Sequence, residues 1–571
     1  MSLEDLSKQL KEVIATYDTG WLLGDLSGLM HAGGNNTGHD QLGDLSSPQR
    51  QLYYLAGLLI TSDPANGIDN MYDPDKWEKI VNLLNQIEQA YTFMFFPKEE
   101  ELVDEHWQKI RQVAMPSFLD YFNQGPLNFE EQIINWVSDL YTPLNAIISK
   151  ETGLQTSDFL QFYENVDVLH QRNFQGVSPK GTPRANWREY AKVQMINTAP
   201  EPLKAIMAKK MGDMEPSMYY MADHGIIDRF YAHEIVSANL AQEKVEIILQ
   251  LLSEERSASD FLYYTSMKPG NPLYEKPIAY LGNGMYQIFE VKQVIHAIES
   301  LLEKICTGNK ANISVLVARK GNLLEDRVEG LFKQLLKKDF KIYRGYYVDG
   351  CEQDLLILWK NYAFIIEAKG YNLREPLRDP DKAFVRIKDD FKGCIGYGYD
   401  QCYRVESKFL SGQPLEICDK NGNVLDVVDT IPFENNAFSI VVNLKTFGQV
   451  QTDLSSLLEV PDDSSYPWAV KLDDLETFVL TLLAQGKGIS QLLKFLIMRE
   501  TLQGKLICND ELQLCGAFLT GAINQELIDK REMILTSPDL GDIFDQQYRK
   551  GIGFPNEKYW AEKKSGKWLF W

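Results

Sequence analysis

A chain of 571 residues, 44% of them hydrophobic and 11% aromatic, has enough apolar material for several packed cores, which excludes a disordered or low-complexity protein. No stretch approaches the roughly 18 uninterrupted apolar residues of a transmembrane helix, so we expect no membrane contact. The formal net charge of −22 argues against a protein that coats nucleic acid without selectivity.

The N-terminal sequence and the cysteines indicate the cellular compartment. The N-terminal sequence lacks a basic region followed by an apolar core, so we expect no signal peptide. The seven cysteines form no Cys-x-x-Cys pair, and an odd number without a pattern fits a reducing environment. We therefore predict a cytoplasmic protein of roughly two to four domains.

Residues 1–300 predict an all-helical region. Apolar residues recur there at helical spacing in the segments Leu3–Tyr17, Ser47–Ile60, Asp75–Phe95, Glu99–Phe122, Phe129–Ile148 and Ile235–Ser253. We expect this region to recognise a trigger, bind a protein partner or assemble a homo-oligomer.

Residues 305–450 predict strands as well as helices. In chain order the predicted elements are strand Ile313–Val317, helix Leu323–Leu336, strands Lys341–Val348, Asp354–Trp359 and Ala363–Lys369, helix Asp381–Leu410, hairpin Pro414–Val428 and strand Phe438–Leu444. Residues 461–571 predict a mainly helical C-terminal region, with a helix over Leu472–Gln485 and a hairpin within Lys505–Phe518.

Three charged residues frame the hairpin of the two most apolar strands. Glu367 and Lys369 close its second strand, and they share one face because side chains alternate along a strand. Asp354 stands at the start of the first strand. Two carboxylates at one sheet edge suit a hard cation such as Mg²⁺, and a nearby ammonium suits an activated water or a developing phosphate charge.

An Asp, a hairpin and then Glu-x-Lys resembles the PD-(D/E)xK nuclease superfamily over residues 305–450. The resemblance implies an α+β fold with a restriction-endonuclease-like mixed sheet flanked by helices. The family often carries another acid on the preceding helix. Glu325 matches the Gly-x-x-x-Glu pattern that begins at Gly321, with Glu329 as the fallback. The chain departs from the family pattern in that no Pro precedes Asp354, but this Pro is dispensable in the family.

The resemblance also implies site residues and a reaction. A Mg²⁺-dependent endonuclease would use Glu325, Asp354, Glu367 and Lys369 as catalytic residues. Asp354 and Glu367 would bind Mg²⁺ or Mn²⁺, together with the backbone carbonyl of Ala368 and with Glu325, directly or through water. Lys369 would orient or activate the attacking water.

The same segment is basic within an acidic chain. Residues 303–408 contain 20 Lys and Arg against 16 Asp and Glu, a balance of +4, so the rest of the chain carries −26. In the resembled family the helix after the site can reach nucleic acid, and here that helix contains Arg386, Lys388, Lys392, Gln401 and Arg404. DNA is favoured over RNA only because the family mostly cuts DNA, and defence against foreign DNA in bacteria is an analogy.

Other interpretations stay open at this point. Charged residues at strand ends are commonly solvated, and Glu-x-Lys is a short motif. A solvated helix face explains the basic residues as well as nucleic-acid contact does. The main alternative is a non-catalytic interaction or scaffold protein, whose degenerate nuclease fold binds nucleic acid or a protein partner. Phosphate-binding-loop, zinc-protease and nucleophile-elbow motifs are absent from the sequence.

Overall fold

The structure is a computed structural model, and the residues that it describes are 2–33, 45–97, 105–123, 128–177, 223–265, 268–371 and 373–557. Contacts divide the described residues into two compact units. The first unit comprises the described residues within 1–93, 123–125 and 133–312. The second unit comprises the described residues within 94–122, 126–132 and 313–571. Helices and sheets occur in both, so the fold is mixed α and β. Within the described ranges no helix has the length and apolar character needed to cross a membrane.

Helices dominate the described part of residues 1–306. The helices α1 to α10 are Leu3–Ala15, Thr19–Gly33, Pro48–Ile60, Pro74–Phe93, Glu105–Asn123, Glu130–Tyr141, Asn145–Thr152, Thr156–Val177, Gln242–Leu252 and Val291–Cys306. The predicted helices are largely confirmed, although the predicted start at Glu99 lies outside the described residues. Helix α1 begins with a capping box, in which Ser2 and Asp5 each accept a hydrogen bond from the other's backbone NH at 3.2 Å.

The prediction that residues 1–300 are all helical is wrong, because the first unit also contains a sheet. Strands β1 to β4 are Arg229–Tyr231, Ser253–Glu255, Ile278–Gly282 and Met285–Ile288, in the order β1-β4-β3-β2. They are only three to five residues long, too short for a period-two pattern to stand out. Side chains support the pairing, since Arg229 Nε donates to Gln287 Oε1 at 2.9 Å across β1 and β4.

A seven-stranded sheet forms the centre of the second unit. Its elements in chain order are α11 (Lys310–Leu336), β5 (Phe340–Val348), β6 (Cys351–Trp359), β7 (Tyr362–Lys369), α12 (Pro380–Phe391), α13 (Tyr397–Leu410), β8 (Leu415–Cys418), β9 (Val424–Val428), β10 (Ala437–Asn443), α14 (Gln449–Thr452) and β11 (Trp468–Lys471). The strand order is β11-β10-β7-β6-β5-β8-β9. Strands β7, β10 and β11 run parallel, and the other neighbours pair antiparallel.

The predicted elements around the hairpin of β6 and β7 are confirmed, with one exception. Residues 313–317 are helical rather than a strand, because they continue the amphipathic pattern of α11 and bury Leu316. Helices cover both faces of β7. Phe332 of α11 packs on Phe364 with ring centroids 5.3 Å apart, and Cys402 of α13 clusters with Ile365. Alternation then turns Glu367 toward the face that α13 covers.

Helices α12 and α13 form one continuous helical rod over residues 380–410, which confirms the predicted helix Asp381–Leu410. They are joined by a π-helical turn over Lys392–Gly396. A π turn accommodates one extra residue and changes which side chains align along the rod. The rod packs along β7 and β10, and therefore it supplies one wall of the sheet edge where these strands end.

The C-terminal region is mainly helical, as predicted. Its elements are α15 (Leu472–Ala484), α16 (Ile489–Glu500), β12 (Leu506–Ile507), α17 (Glu511–Thr520), α18 (Gln525–Lys530), β13 (Ile534–Leu535) and α19 (Asp542–Tyr548). The hairpin predicted within residues 505–518 is wrong. Asp510 starts α17 by accepting a hydrogen bond from Leu512 NH at 2.9 Å, and β12 pairs in parallel with β13 instead.

A buried ion pair ties this region together. Arg499 and Glu511 have side chains that are 1% and 2% exposed, and Arg499 Nε lies 2.9 Å from Glu511 Oε1. Trp468 Nε1 donates to the same oxygen at 2.8 Å, which links the last strand of the large sheet to α16 and α17.

Neutralising one partner should expose how much the fold depends on this pair. We expect Glu511→Gln to lower the free energy of unfolding by about 3 kcal/mol, because Arg499 would keep a buried and unpaired charge. Urea unfolding followed by tryptophan fluorescence measures the change. Glu526→Gln, which breaks an exposed pair with Lys530, is the matched control and should leave stability unchanged. Equal effects of the two substitutions would contradict this account.

Candidate functional site

Asp354, Glu367 and Lys369 meet at one edge of the large sheet. The backbone pairing of β6 with β7 ends at Leu355 and Ile366. Beyond that pair, hydrogen bonds between backbone NH groups and carboxylates join the two strands. Asp354 NH donates to Glu367 Oε1 at 3.2 Å, and Ala368 NH donates to Asp354 Oδ2 at 2.7 Å. The two carboxylates are therefore fixed by backbone donors from opposite strands.

The ammonium of Lys369 lies between these carboxylates. Its Nζ is 2.7 Å from Glu367 Oε2 and 3.5 Å from Asp354 Oδ2. It also donates to Gln401 Oε1 at 2.6 Å, while Gln401 Nε2 donates to the Glu352 carbonyl at 3.1 Å. Both ends of the Gln401 amide are thus bonded within the protein, and the amide holds Lys369 in place from α13.

Close packing of α13 makes this contact possible. A Cβ on Gly398 would lie 2.8 Å from Val441 Cγ1 and 3.2 Å from Lys369 Cε, so a larger residue would push the helix off the sheet. The ring of Tyr397, the preceding residue, has its centroid 5.5 Å from Lys369 Nζ.

Burial affects the pKa values of Glu367 and Lys369. Glu367 is 1% exposed, and burial, followed by the charge of Asp354, raises its pKa to about 8. Burial lowers the pKa of Lys369, but the charges of Glu367 and Asp354 outweigh it and the pKa is raised. Lys369 is therefore a firmly protonated ammonium, and Glu367 is a carboxyl that ionises reluctantly.

Glu325 and Glu329 of α11 are held by one arginine. Arg344 Nε lies 3.0 Å from Glu325 Oε2, Arg344 Nη1 lies 3.4 Å from Glu329 Oε2, and Nη1 also contacts Asp326. Burial raises the pKa of Glu325, and the charge of Asp354 raises it further. Glu325 is thus close enough to interact electrostatically with Asp354, although its hydrogen bond goes to Arg344.

The residues predicted to contact nucleic acid lie on the rod of α12 and α13, in different environments. Lys388 and Lys392 are exposed. Arg386 Nη1 donates to the Glu375 carbonyl at 2.9 Å. Arg404 is partly buried, and its Nη1 has no hydrogen-bond partner among the described residues. Contact between these residues and nucleic acid stays a prediction, as it does for Gln401.

Sequence reasoning missed Asp390, which supports the loop after β7. This side chain is fully buried and accepts hydrogen bonds from Arg374 Nε at 2.7 Å, Arg374 NH at 3.1 Å and the Tyr371 hydroxyl at 3.1 Å. The loop that leaves Lys369 is thereby fastened to α12. A signal was present, because Asp390 occupies a position of the apolar face that Ile387 and Cys394 also share.

A hard divalent cation fits the donors at this edge. Among the residues that the structure describes, no three His, Cys, Asp or Glu side chains converge into a metal site. A cation would therefore take Asp354 and Glu367 and complete its shell with a carbonyl, water or substrate oxygens, which Mg²⁺ tolerates. The raised pKa of Glu367 is in part the repulsion of Asp354, and a cation would relieve that repulsion.

Comparison of the chain with family models, with curated proteins and with solved structures found no match. The geometry and the electrostatics of this sheet edge are therefore the guide to its function.

The raised pKa of Glu367 predicts a pH dependence in metal-free protein. Between its ordinary pKa of 4.5 and about 8, Glu367 keeps its proton in the native state and loses it in the unfolded state. The native state then binds more protons, so this group makes the protein less stable as pH rises, by about 1.4 kcal/mol for each pH unit across that interval. Glu367→Gln removes this contribution.

Thermal unfolding in EDTA measures the effect. The thermal midpoint of Glu367→Gln should rise relative to wild type from about pH 5 to pH 8 and then level off. Glu406→Gln is the control, since burial raises the pKa of Glu406 to about 7 and its effect should end there. A midpoint difference for Glu367→Gln that does not change with pH would contradict the assignment.

Proposed function

We propose that the chain is a metal-dependent nuclease that hydrolyses phosphodiester bonds, with a PD-(D/E)xK, restriction-endonuclease-like core in residues 305–450. The observation that carries the proposal is the convergence of Asp354, Glu367 and Lys369 at one sheet edge. Two carboxylates and an ammonium are the groups that such a hydrolysis needs in one place.

The energetics of the site support a functional role. Holding Glu367 and Lys369 away from water incurs a desolvation penalty, and an apolar pair of similar size would stabilise the fold as well or better. The remaining exposure is at Asp354 and Lys369, whose side chains are 20% and 13% exposed. The buried pair therefore reaches solvent on the side where a substrate phosphate could approach.

The resident cation would be Mg²⁺ or Mn²⁺, held by Asp354 and Glu367, with the Ala368 carbonyl and Glu325 as further donors. When bound, it supplies a Lewis acid for the phosphate and lowers the pKa of a water. Gln401 orients the Lys369 ammonium, which donates a hydrogen bond to the attacking water or to a non-bridging phosphate oxygen. The attacking water gives its proton to the solvent, and the Lys369 charge stabilises the negative charge that develops as the water oxygen bonds to phosphorus and the bond to the leaving oxygen breaks.

The substrate and the biological role are further parts of the proposal. DNA is preferred to RNA, and a role in defence against foreign DNA in bacteria is included by analogy with the resembled family. The first unit, which the site does not need for its donors, is proposed to bind a protein partner or to assemble a homo-oligomer. The protein is proposed to act in the cytoplasm.

The direct test is cleavage of a supercoiled plasmid and of single-stranded circular DNA with Mg²⁺, Mn²⁺ or EDTA. We expect cleavage with either metal ion and none with EDTA. Asp354→Asn and Glu367→Gln should each reduce the rate by about 100-fold or more, because each removes a charged oxygen donor.

Asp349→Asn is the matched control for these variants. Asp349 is 60% exposed in the turn before β6 and pairs with Lys408, so its substitution should leave the rate unchanged. Wild-type rates in both site variants, or no cleavage by the wild-type protein with either metal ion, would overturn the proposed function in favour of a non-catalytic scaffold.

The proposed role of Lys369 separates rate from metal affinity. Lys369→Met should keep or tighten Mg²⁺ binding in calorimetry, because a positive charge beside two carboxylates is removed, while the cleavage rate falls about 100-fold. Lys369→Arg should show a cleavage rate close to that of Lys369→Met, since the larger planar guanidinium does not fit the position fixed by Gln401. Loss of metal binding with normal turnover at saturating Mg²⁺ would refute this role.

A further inference from the structure

The outer face of the rod formed by α12 and α13 carries an exposed row of two lysines and a tyrosine. Lys388 and Lys392 are exposed and form no ion pair with any described residue. Tyr397 is 56% exposed, which is unusual for a large aromatic side chain beside a buried site. Its ring is also the aromatic surface that lies 5.5 Å from Lys369 Nζ, so the row leads directly to the candidate site.

The π-helical turn over Lys392–Gly396 aligns this row. In a regular α-helix, residues five apart lie about 140° from each other around the axis. In a π turn the i→i+5 bond makes them neighbours. Lys392 and Tyr397 are five apart across this turn, and Lys388 is four residues before Lys392. All three side chains therefore follow one exposed face.

Three other cations of this part of the chain are paired with carboxylates. Arg344 is paired with Glu325 and its neighbours, and Arg374 Nη2 lies 2.6 Å from Asp390 Oδ1. Lys408 pairs with Asp349 at 3.1 Å. A duplex is bound mainly through many phosphate contacts along its backbone, and cations that are already paired with carboxylates are less available for them. Two free lysines next to an aromatic face instead match the way unpaired strands are bound, with bases stacked on aromatic rings.

We propose that Tyr397 is a base-stacking subsite, and that Lys388 and Lys392 track the backbone of an unpaired strand that passes into the site. The inference rests on the proposed nuclease function and narrows its substrate to single-stranded or unpaired nucleic acid. The faces of paired bases are covered by their neighbours, and opening a duplex costs several kcal/mol. Tyr397 would therefore stabilise only a base that is already unpaired and that flanks the phosphate held at Lys369.

Binding of the full-length protein to fluorescent oligonucleotides tests this directly. Fluorescence anisotropy compares an oligothymidine of about 20 nucleotides with a duplex of the same length. Ca²⁺ replaces Mg²⁺, and a gel verifies that the strands stay intact. We expect tighter binding of the single strand by wild type. Tyr397→Ala should weaken single-strand binding by about 5-fold to 100-fold and change duplex binding by less than about 2-fold.

Two further variants separate stacking from charge. Tyr397→Phe keeps the ring and should bind the single strand within about 2-fold of wild type. Lys392→Gln should reduce the slope of log affinity against log salt for the single strand by about 0.7. Tyr72→Ala is the control, since Tyr72 is an exposed tyrosine of the first unit and should have no effect.

The outcomes distinguish this inference from the proposed function. The stacking subsite would be overturned by any of three results: tighter binding of the duplex by wild type, an equal loss of affinity for the single strand and the duplex in Tyr397→Ala, or a loss of single-strand affinity in Tyr397→Phe. In those cases metal-dependent cleavage of duplex plasmid would leave the nuclease proposal standing. Binding to neither oligonucleotide would overturn both.

Discussion

The burial of Glu367 beside Lys369 is the constraint on which the candidate site depends. A carboxyl group and an ammonium removed from water are tolerated only where hydrogen bonds replace the lost hydration. Glu367 receives Asp354 NH at 3.2 Å and Lys369 at 2.7 Å, and Lys369 in turn reaches Gln401 at 2.6 Å. Because these hydrogen-bonding groups come from β6, β7 and α13, the pair fixes how the two strands and the helix meet. Burial and the charge of Asp354 raise the pKa of Glu367 to about 8, and the charges of Glu367 and Asp354 raise the pKa of Lys369.

Support for this pair comes from the rod of α12 and α13. Gly398 allows the close approach of α13, Gln401 is anchored on the Glu352 carbonyl, and Asp390 fastens the loop that leaves Lys369. The π turn lies in the middle of the rod, where one face packs on the sheet and Lys392 and Tyr397 are exposed. A chain with a net charge of −22 would repel nucleic acid at long range, so binding would depend on such local contacts. The proposed nuclease chemistry and the proposed strand path thus meet at Tyr397, whose ring centroid lies 5.5 Å from Lys369 Nζ.

The sequence by itself determined the local structure around the site. Uninterrupted apolar runs predicted β6 and β7 because strands buried on both faces cannot alternate with polar residues. The alternation of side chains along a strand predicted that Glu367 and Lys369 share a face. The hairpin predicted that Asp354, at the start of the first strand, lies near them. A continuous helix over Asp381–Leu410 was also predicted, although its π turn was not. These features depend on neighbours within a few residues, and local sequence therefore specifies them.

Only the tertiary structure decided the features that depend on distant partners. The first-unit sheet has strands of three to five residues, whose pairing is set by side chains such as Arg229 and Gln287 rather than by a local pattern. Helix α2 was not predicted, because its glycines disfavour a helix; a Cβ on Gly24 would lie 2.2 Å from Gly225 N, so packing requires the glycine. Nothing local in the sequence showed that Gln401 would bond Lys369 or that Arg344 would hold Glu325. Side chains far apart in the chain became neighbours only when the sheet and the helices packed, and that packing set the burial and the pKa values of the site.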